Sequence, residues 1–218
     1  MRNKPIFGIA LFILFSTFIS QSKFTINKFK IQEIKIKNNK VLEDQELIKI
    51  FSFLYTKNII FLNSYELKKN IDQNSFIKKI EIKKIFPNKL VIKVFEKEPI
   101  AILKDKDQKF YLGKKVNLIN YRKILKYQNL PVVEGDKKNF EILFNNLTKI
   151  NFPTEQILNY RFFDVNRWDI EMKDKKILKL PTKNYKKALI NFMDIKDETN
   201  FEKYKIFDYR LNNQLILK

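Results

Sequence analysis

With 218 residues, 44% of them hydrophobic and 14% aromatic, the chain can bury a real core and is not a disordered polymer. It has no Cys and no His, which excludes disulfides, thiolate nucleophiles, zinc sites of the usual kind and any catalysis built on a histidine base. The formal net charge of +20 suggests an anionic partner, yet only five of the 44 basic residues are Arg and the lysines are spread along the whole chain, so nucleic acid is not the expected partner.

Between Lys4 and Lys23 lie 18 uncharged residues with a strongly apolar centre, Ile6 to Ile19. At about 1.5 Å per residue a helix of this length just spans a ~30 Å hydrocarbon layer. Uniform apolarity argues against a core helix, which carries a polar face. Ser20 and Ser22 are the small residues that a signal-peptide cleavage site would use. The segment reads as a single transmembrane helix over residues 6–22 after a short tail of residues 1–5, with cleavage the open alternative. Lysines flank it on both sides, so charge alone leaves the orientation open.

From Phe24 to Glu98 the element order reads β-α-α-β-β. Ile34 and Ile36 share one face of a first strand that ends at Asn38-Asn39, residues that tolerate left-handed turn geometry. Asp44 is placed to cap a helix carrying Leu47, Ile48, Phe51 and Leu54 at helical spacing. A second helix begins near Ser64, with Leu67 and Ile71 one turn apart. Then Ile80 to Phe95 reads as a hairpin about Pro87-Asn88, with Leu90, Ile92 and Val94 on one face. A small sheet with two helices on one face is the compact solution for this order.

From Pro99 to Lys218 short strands alternate with two helices. Phe110–Leu112 and Val116–Ile119 suggest a hairpin about Gly113, and Leu130 to Gly135 reads as an edge strand because it contains Pro131. Phe140, Leu143, Phe144, Leu147 and Ile150 mark one helix; Tyr185, Leu189 and Phe192 mark the other. Between them, Arg161–Val165, Trp168/Ile170/Met172 and Ile177/Leu180 form a meander. The chain ends in a strand pair, Tyr204–Tyr209 and Leu211–Leu217, bent at Asn212-Asn213. Trp168 alternates with Ile170 and Met172 and so reads as core. The carboxylates Asp105, Asp107, Asp164, Asp169 and Glu171 sit in Lys-rich turns or on strand faces, where a solvated surface outweighs acid–base chemistry.

Several stretches, in order along the chain, resemble the bacterial cell division proteins of the FtsQ/DivIB family. They are Ile34–Asn39, Lys57–Asn63, Phe86–Ala101 (the hairpin leaving through Glu-Lys-Glu-Pro-Ile-Ala), Leu130–Gly135 and Phe207–Leu211. The resemblance implies an α+β chain: an N-terminal transmembrane helix, a POTRA domain over 24–98, then a mainly antiparallel β-domain with flanking helices over 99–218. It implies a single-pass inner-membrane protein at the division site, with its N-terminus cytoplasmic and its large part periplasmic. The implied role is that of a non-catalytic scaffold that recruits the FtsB–FtsL pair and bridges early and late division proteins, without cofactor, metal or small-molecule substrate.

In that family the FtsB partner adds a strand to the β-domain near its C-terminus. Carried over by position, the expected contact residues are Tyr209, Arg210, Leu211, Asn213, Leu215 and Leu217. Strand addition suits an edge whose N–H and C=O groups are unpaired. The plainer alternative is an ordinary sheet member with Leu215 and Leu217 in the core and Arg210 held by a carboxylate. Two features depart from the family pattern: a very short N-terminal tail, and Asn38-Asn39 where Gly is usual. The rival from a different class is a secreted or membrane-tethered basic protein that binds nucleic acid or another anionic polymer.

Overall fold

The computed structural model describes residues 4–16, 26–72, 74–211 and 214–218. A first helix, α1 (Lys4–Ser16), covers the beginning of the apolar segment and is 13 residues long. No helix among the described residues is long and apolar enough to cross a membrane; residues 17–25, which carry the rest of the expected span, lie outside them. The chain clusters into two compact units. One holds Met1–Asn39, Glu43–Asn70 and Ile80–Val94; the other holds Lys40–Leu42, Ile71–Lys79 and Phe95–Lys218.

The first unit contains β1 (Glu33–Lys37), α2 (Asp44–Phe51), α3 (Ser64–Ile71) and most of the hairpin β2 (Ile77–Ile85) and β3 (Lys89–Glu96). The three strands pair in the order β1-β3-β2. β1 runs parallel to β3, with Ile34 opposite Leu90 and Ile36 opposite Ile92. Leu90, Ile92, Val94, Leu47, Phe51 and Leu54 are fully buried, so the two periodicities read from the sequence meet in one core. Asn38 adopts the left-handed conformation (φ 67°) without a glycine, and its side-chain amide donates to the Val94 carbonyl at 2.9 Å. Asp44 does not cap α2. Glu43 occupies the cap position without a side-chain bond, and Asp44 begins the helix, its Oδ1 accepting from Asn39 Nδ2 at 2.7 Å.

The second unit is built on a nine-stranded sheet, in the order β12-β11-β10-β9-β8-β7-β4-β5-β6. Its strands are β4 (Pro99–Asp105), β5 (Gln108–Gly113), β6 (Leu118–Asn120), β7 (Val132–Glu134), β8 (Ile157–Phe163), β9 (Arg167–Met172), β10 (Ile177–Lys179), β11 (Ile206–Asp208) and β12 (Ile216–Leu217). Two helices complete it, α4 (Lys137–Lys149) and α5 (Tyr185–Ile195). Five neighbouring pairs are antiparallel and three parallel. Two of the parallel pairs, β7–β8 and β10–β11, have α4 and α5 between their strands. A helix long enough to carry the chain back to the starting end of the sheet makes the next strand parallel.

The stretch expected at an edge is interior: β7 pairs with both β4 and β8. Pro131 sits just before the strand, so its missing N–H costs no ladder bond, and its carbonyl accepts from Ile102 N–H at 2.8 Å. The strand expected at Arg161–Val165 lies earlier in the chain, at β8, and Val165 falls in an exposed turn. At the end of β7 Gly135 takes φ 143°, and a Cβ there would lie 2.4 Å from Phe162 Cβ. Asp136 then caps α4, its carboxylate accepting from Asn139 N–H at 2.9 Å.

Register organises this sheet into rungs. Leu103, Val133, Tyr160, Ile170, Leu178, Phe207 and Leu217 stand opposite one another in turn across β4, β7, β8, β9, β10, β11 and β12. All but Leu217 are buried, beneath the two helices. Phe140 of α4 meets Tyr160 edge-on at 5.1 Å, and Phe192 of α5 meets Phe207 edge-on at 5.0 Å. Trp168 is buried as expected, between Phe140 and Phe162.

Candidate functional site: the C-terminal edge of the large sheet

The adjacent rung faces away from the helices, because successive strand residues point to opposite sides. It reads Lys104, Glu134, Arg161, Asp169, Lys179, Asp208: six strands with strict alternation of sign. Opposite charges placed directly across from each other support strand pairing. Glu134 Oε2 accepts from Arg161 Nε at 2.9 Å, and this raises the guanidinium's hold on its proton. Burial pushes the Asp169 carboxyl above its ordinary value, an effect that Arg167, Lys179 and Arg210 oppose. Arg167 Nε faces Asp169 Oδ1 at 3.6 Å, an ion contact longer than a hydrogen bond, and the guanidinium lies over the Phe163 ring at 4.3 Å.

The rung leads to the sheet edge formed by β11 and β12. Two ladder pairs hold them, Phe207 with Leu217 and Asp208 with Ile216. Ile206 and Lys218 exchange backbone hydrogen bonds in both directions, at 2.9 and 3.1 Å. Antiparallel alternation therefore turns the Leu217 N–H and C=O away from β11, toward the open side of the sheet. Among the described residues β12 ends the strand order, so this backbone faces the position that a further strand would occupy.

The six expected contact residues do not share one environment. Tyr209 is anchored inward: its N–H donates to the Lys179 carbonyl at 2.9 Å, its hydroxyl donates to Asn191 Oδ1 of α5 at 2.9 Å, and burial pushes its phenol pKa up. Arg210 is held within its own chain. Its Nε donates to both Asp208 oxygens, at 2.8 and 3.0 Å, and its Nη2 donates to Oδ2 at 2.6 Å. The Arg210 N–H adds a bond to Oδ1 at 3.1 Å, and together these hold the Asp208 carboxyl below the usual carboxylate range. Leu211 is exposed, whereas Leu215 and Leu217 are half-buried against the core. Asn213 lies outside the described residues.

Leu211, Gln214 and Leu215 also line a 480 Å³ cavity, whose other wall comes from Lys187 and Ile195 of α5 and from Phe201. The lining is mixed, with Lys183, Asn191 and Gln214 beside the apolar side chains, so the groove can take both polar and apolar groups of a partner. The carboxylate that the sequence offered as a holder of Arg210 is Asp208, and the reading missed Asn191, which holds Tyr209 in place. The first was legible as Asp208-Tyr-Arg210, since two residues along a chain bring a carboxylate and a guanidinium together. The second was not, because α5 reaches Tyr209 only through the fold.

No cluster of three or more metal-ligating side chains occurs among the described residues. The sequence model of the family described as "POTRA domain, FtsQ-type" matches residues 29–97. Over 195 residues, 87% of this chain and 72% of the relative, the sequence is 27% identical to the cell division protein FtsQ of Rickettsia bellii. Over 111 residues, 50% of this chain and 42% of the relative, it is 32% identical to the cell division protein DivIB of Clostridium tetani. By these matches the chain is similar to cell division proteins of the FtsQ/DivIB family.

A solved structure of the major extracytoplasmic domain of DivIB from Geobacillus stearothermophilus covers 45% of this chain and 89% of its own, with a TM-score of 0.34 and 15% identity. A likeness of that size carries no argument about the fold. Within the FtsQ-type match, Glu96 of the Glu-Lys-Glu-Pro exit has a structural task. Its carboxylate accepts from the N–H groups of Lys40, Val41 and Leu42 at 2.9 to 3.1 Å. Glu98 instead pairs with Lys114 at 3.1 Å, and that bond lowers its carboxyl pKa.

Proposed function

We propose that this chain is an FtsQ/DivIB-type protein, a membrane-anchored scaffold of the division machinery and not an enzyme, with the edge strand β12 as the platform for an FtsB-like partner. The observation that carries the reading is the terminal position of β12, with the Leu217 backbone groups turned toward the open side. A partner segment that pairs there gains main-chain hydrogen bonds, and its alternate side chains reach Leu211 and the cavity beside α5. Arg210 serves as a positioning residue: through Asp208 it fixes the backbone that leads into the exposed Leu211.

The apolar segment 6–22 supplies the anchor, residues 24–98 the POTRA domain and 99–218 the β-domain, with the large part on the periplasmic side at the septum. The FtsB–FtsL pair is the proposed partner, and contacts of the POTRA domain join other division proteins to it.

The test is a pull-down of the full chain in detergent with the extracytoplasmic parts of the same organism's FtsB and FtsL. A Leu211→Lys, Leu215→Lys double variant, checked for intact folding, runs beside it. Binding that the variant reduces at least about tenfold, a loss of about 1.4 kcal/mol, supports both the role and the site. Undiminished binding moves the site off this edge. No binding by folded, competent preparations sinks the scaffold reading.

A further inference from the structure

The alternation of the charged rung breaks at one place. On β4 and β5, Lys104 stands directly opposite Lys109. Like charges in facing positions disfavour strand pairing. Beside them lies a 640 Å³ basin on the side of the sheet away from α4 and α5, lined by Lys104, Lys109, Lys123, Tyr121 and Glu134 over a floor of Ile102 and Val132. Glu134 is the one carboxylate of this lining, and it serves Arg161 at 2.9 Å while standing 3.9 Å from Lys104. Lys109 Nζ lies 5.7 Å from the Tyr121 ring centre. Asn159, also at the wall, gives its amide to Glu171 at 2.7 Å. Three ammonium groups thus face a shared space that holds one carboxylate, itself already engaged.

We propose that this basin binds an acidic peptide segment, whose Glu or Asp carboxylates sit among Lys104, Lys109 and Lys123. The charges that the sheet leaves unbalanced are the complement of such a segment, and desolvating them against carboxylates gains charge-assisted hydrogen bonds. The lining favours a peptide over a free phosphate. It contains no arginine fork, its lysines are spread round an open basin, and its floor and Tyr121 ring are apolar, which suits carboxylates carried on hydrocarbon stems. The basin spans β5 to β8, away from β12, so this binding does not rest on the strand-addition reading.

The experiment is fluorescence anisotropy of a labelled oligoglutamate peptide with the full chain in detergent at low ionic strength. The chain is compared with Lys104→Gln/Lys109→Gln and with Lys138→Gln/Lys149→Gln, which removes the same charge from exposed positions on α4. About tenfold weaker binding is expected for the basin variant and less than about twofold for the α4 variant. Equal losses would reduce the effect to a general attraction by a chain of net charge +20 and overturn the proposal, as would no binding at all. Phosphatidylglycerol vesicles and inorganic phosphate run in the same assay. Tighter binding of either through Lys104 and Lys109 than of the peptide overturns the peptide assignment. Melting temperature is the independent readout: relieving the facing ammonium groups should leave it equal or higher, and a clear fall would make the pair structural.

Discussion

The two faces of the nine-stranded sheet use the same strands and the same register for opposite ends. One face aligns Leu103, Val133, Tyr160, Ile170, Leu178 and Phe207 under two helices; the other aligns six charges of alternating sign. A single residue step along each strand separates them. Any strand that slipped by one position would carry a charge into the core and an apolar residue into the charge ladder. Both faces therefore specify register, but only the apolar one holds most of the stability, since burial is worth far more per residue than a solvated ion pair.

That contrast can be broken by experiment. The largest effect belongs to Phe140→Ala, which empties a fully buried site against Tyr160 and Trp168 and should cost about 3–5 kcal/mol in denaturant titration. Arg161→Ala on the charged face removes a partner of Glu134 and should cost under about 1 kcal/mol. Comparable losses in the two variants would end the division of labour between the faces.

Gly135→Ala comes next. It forces a left-handed φ on a side chain and drives its Cβ toward Phe162, so a loss of about 2 kcal/mol is expected from the same titration. An unchanged midpoint would mean that the β7–α4 junction can relax.

Arg210→Ala sharpens the comparison at the end of the rung. The bonds from Arg210 hold the Asp208 carboxyl low, so their stabilisation is present above the ordinary Asp value of about 3.9 and fades as pH falls through the lower folded value. The variant's deficit in thermal midpoint should be full at pH 7 and shrink below about pH 4. A deficit independent of pH would assign Arg210 a packing role instead.

Asp169→Asn has the smallest expected effect and the opposite sign. Burial raises this carboxyl, so the proton-bound form is the favoured one, and that advantage is lost as pH rises through the folded value. At pH 7 the neutral amide should match or slightly exceed the parent in melting temperature, and the difference should vanish below about pH 4. A destabilised variant would show that the contact with Arg167 outweighs the burial of the charge.

Much of the local structure was legible along the chain. Leu90, Ile92 and Val94 announced their face by alternation, and Leu47, Phe51 and Leu54 announced theirs by helical spacing; all six are fully buried. The misplaced elements share a cause. Pro131 marked its stretch as an edge, yet a proline one step before a strand leaves the ladder intact, and whether β4 comes alongside depends on residues far away in sequence. Asp44 had the chemistry of a cap but sits one position inside the helix, where cap geometry is set by the incoming chain. At the candidate site, Leu211, Leu215 and Leu217 were legible only in their apolar character. The self-pairing of Arg210 with Asp208 is local, whereas the inward anchoring of Tyr209 needed Asn191 of α5 to be brought beside it.

By itself the sequence determined the periodicities, the order of elements, the absence of thiol and imidazole chemistry, and the family resemblance, because each is a property of neighbouring residues or of composition. Tertiary structure alone decided which strands became neighbours. The charge ladder, the facing lysines of β4 and β5 and the open side of β12 are all cross-strand relations. A residue's sign and size are written locally, but its partner across a sheet is chosen by the path of the whole chain.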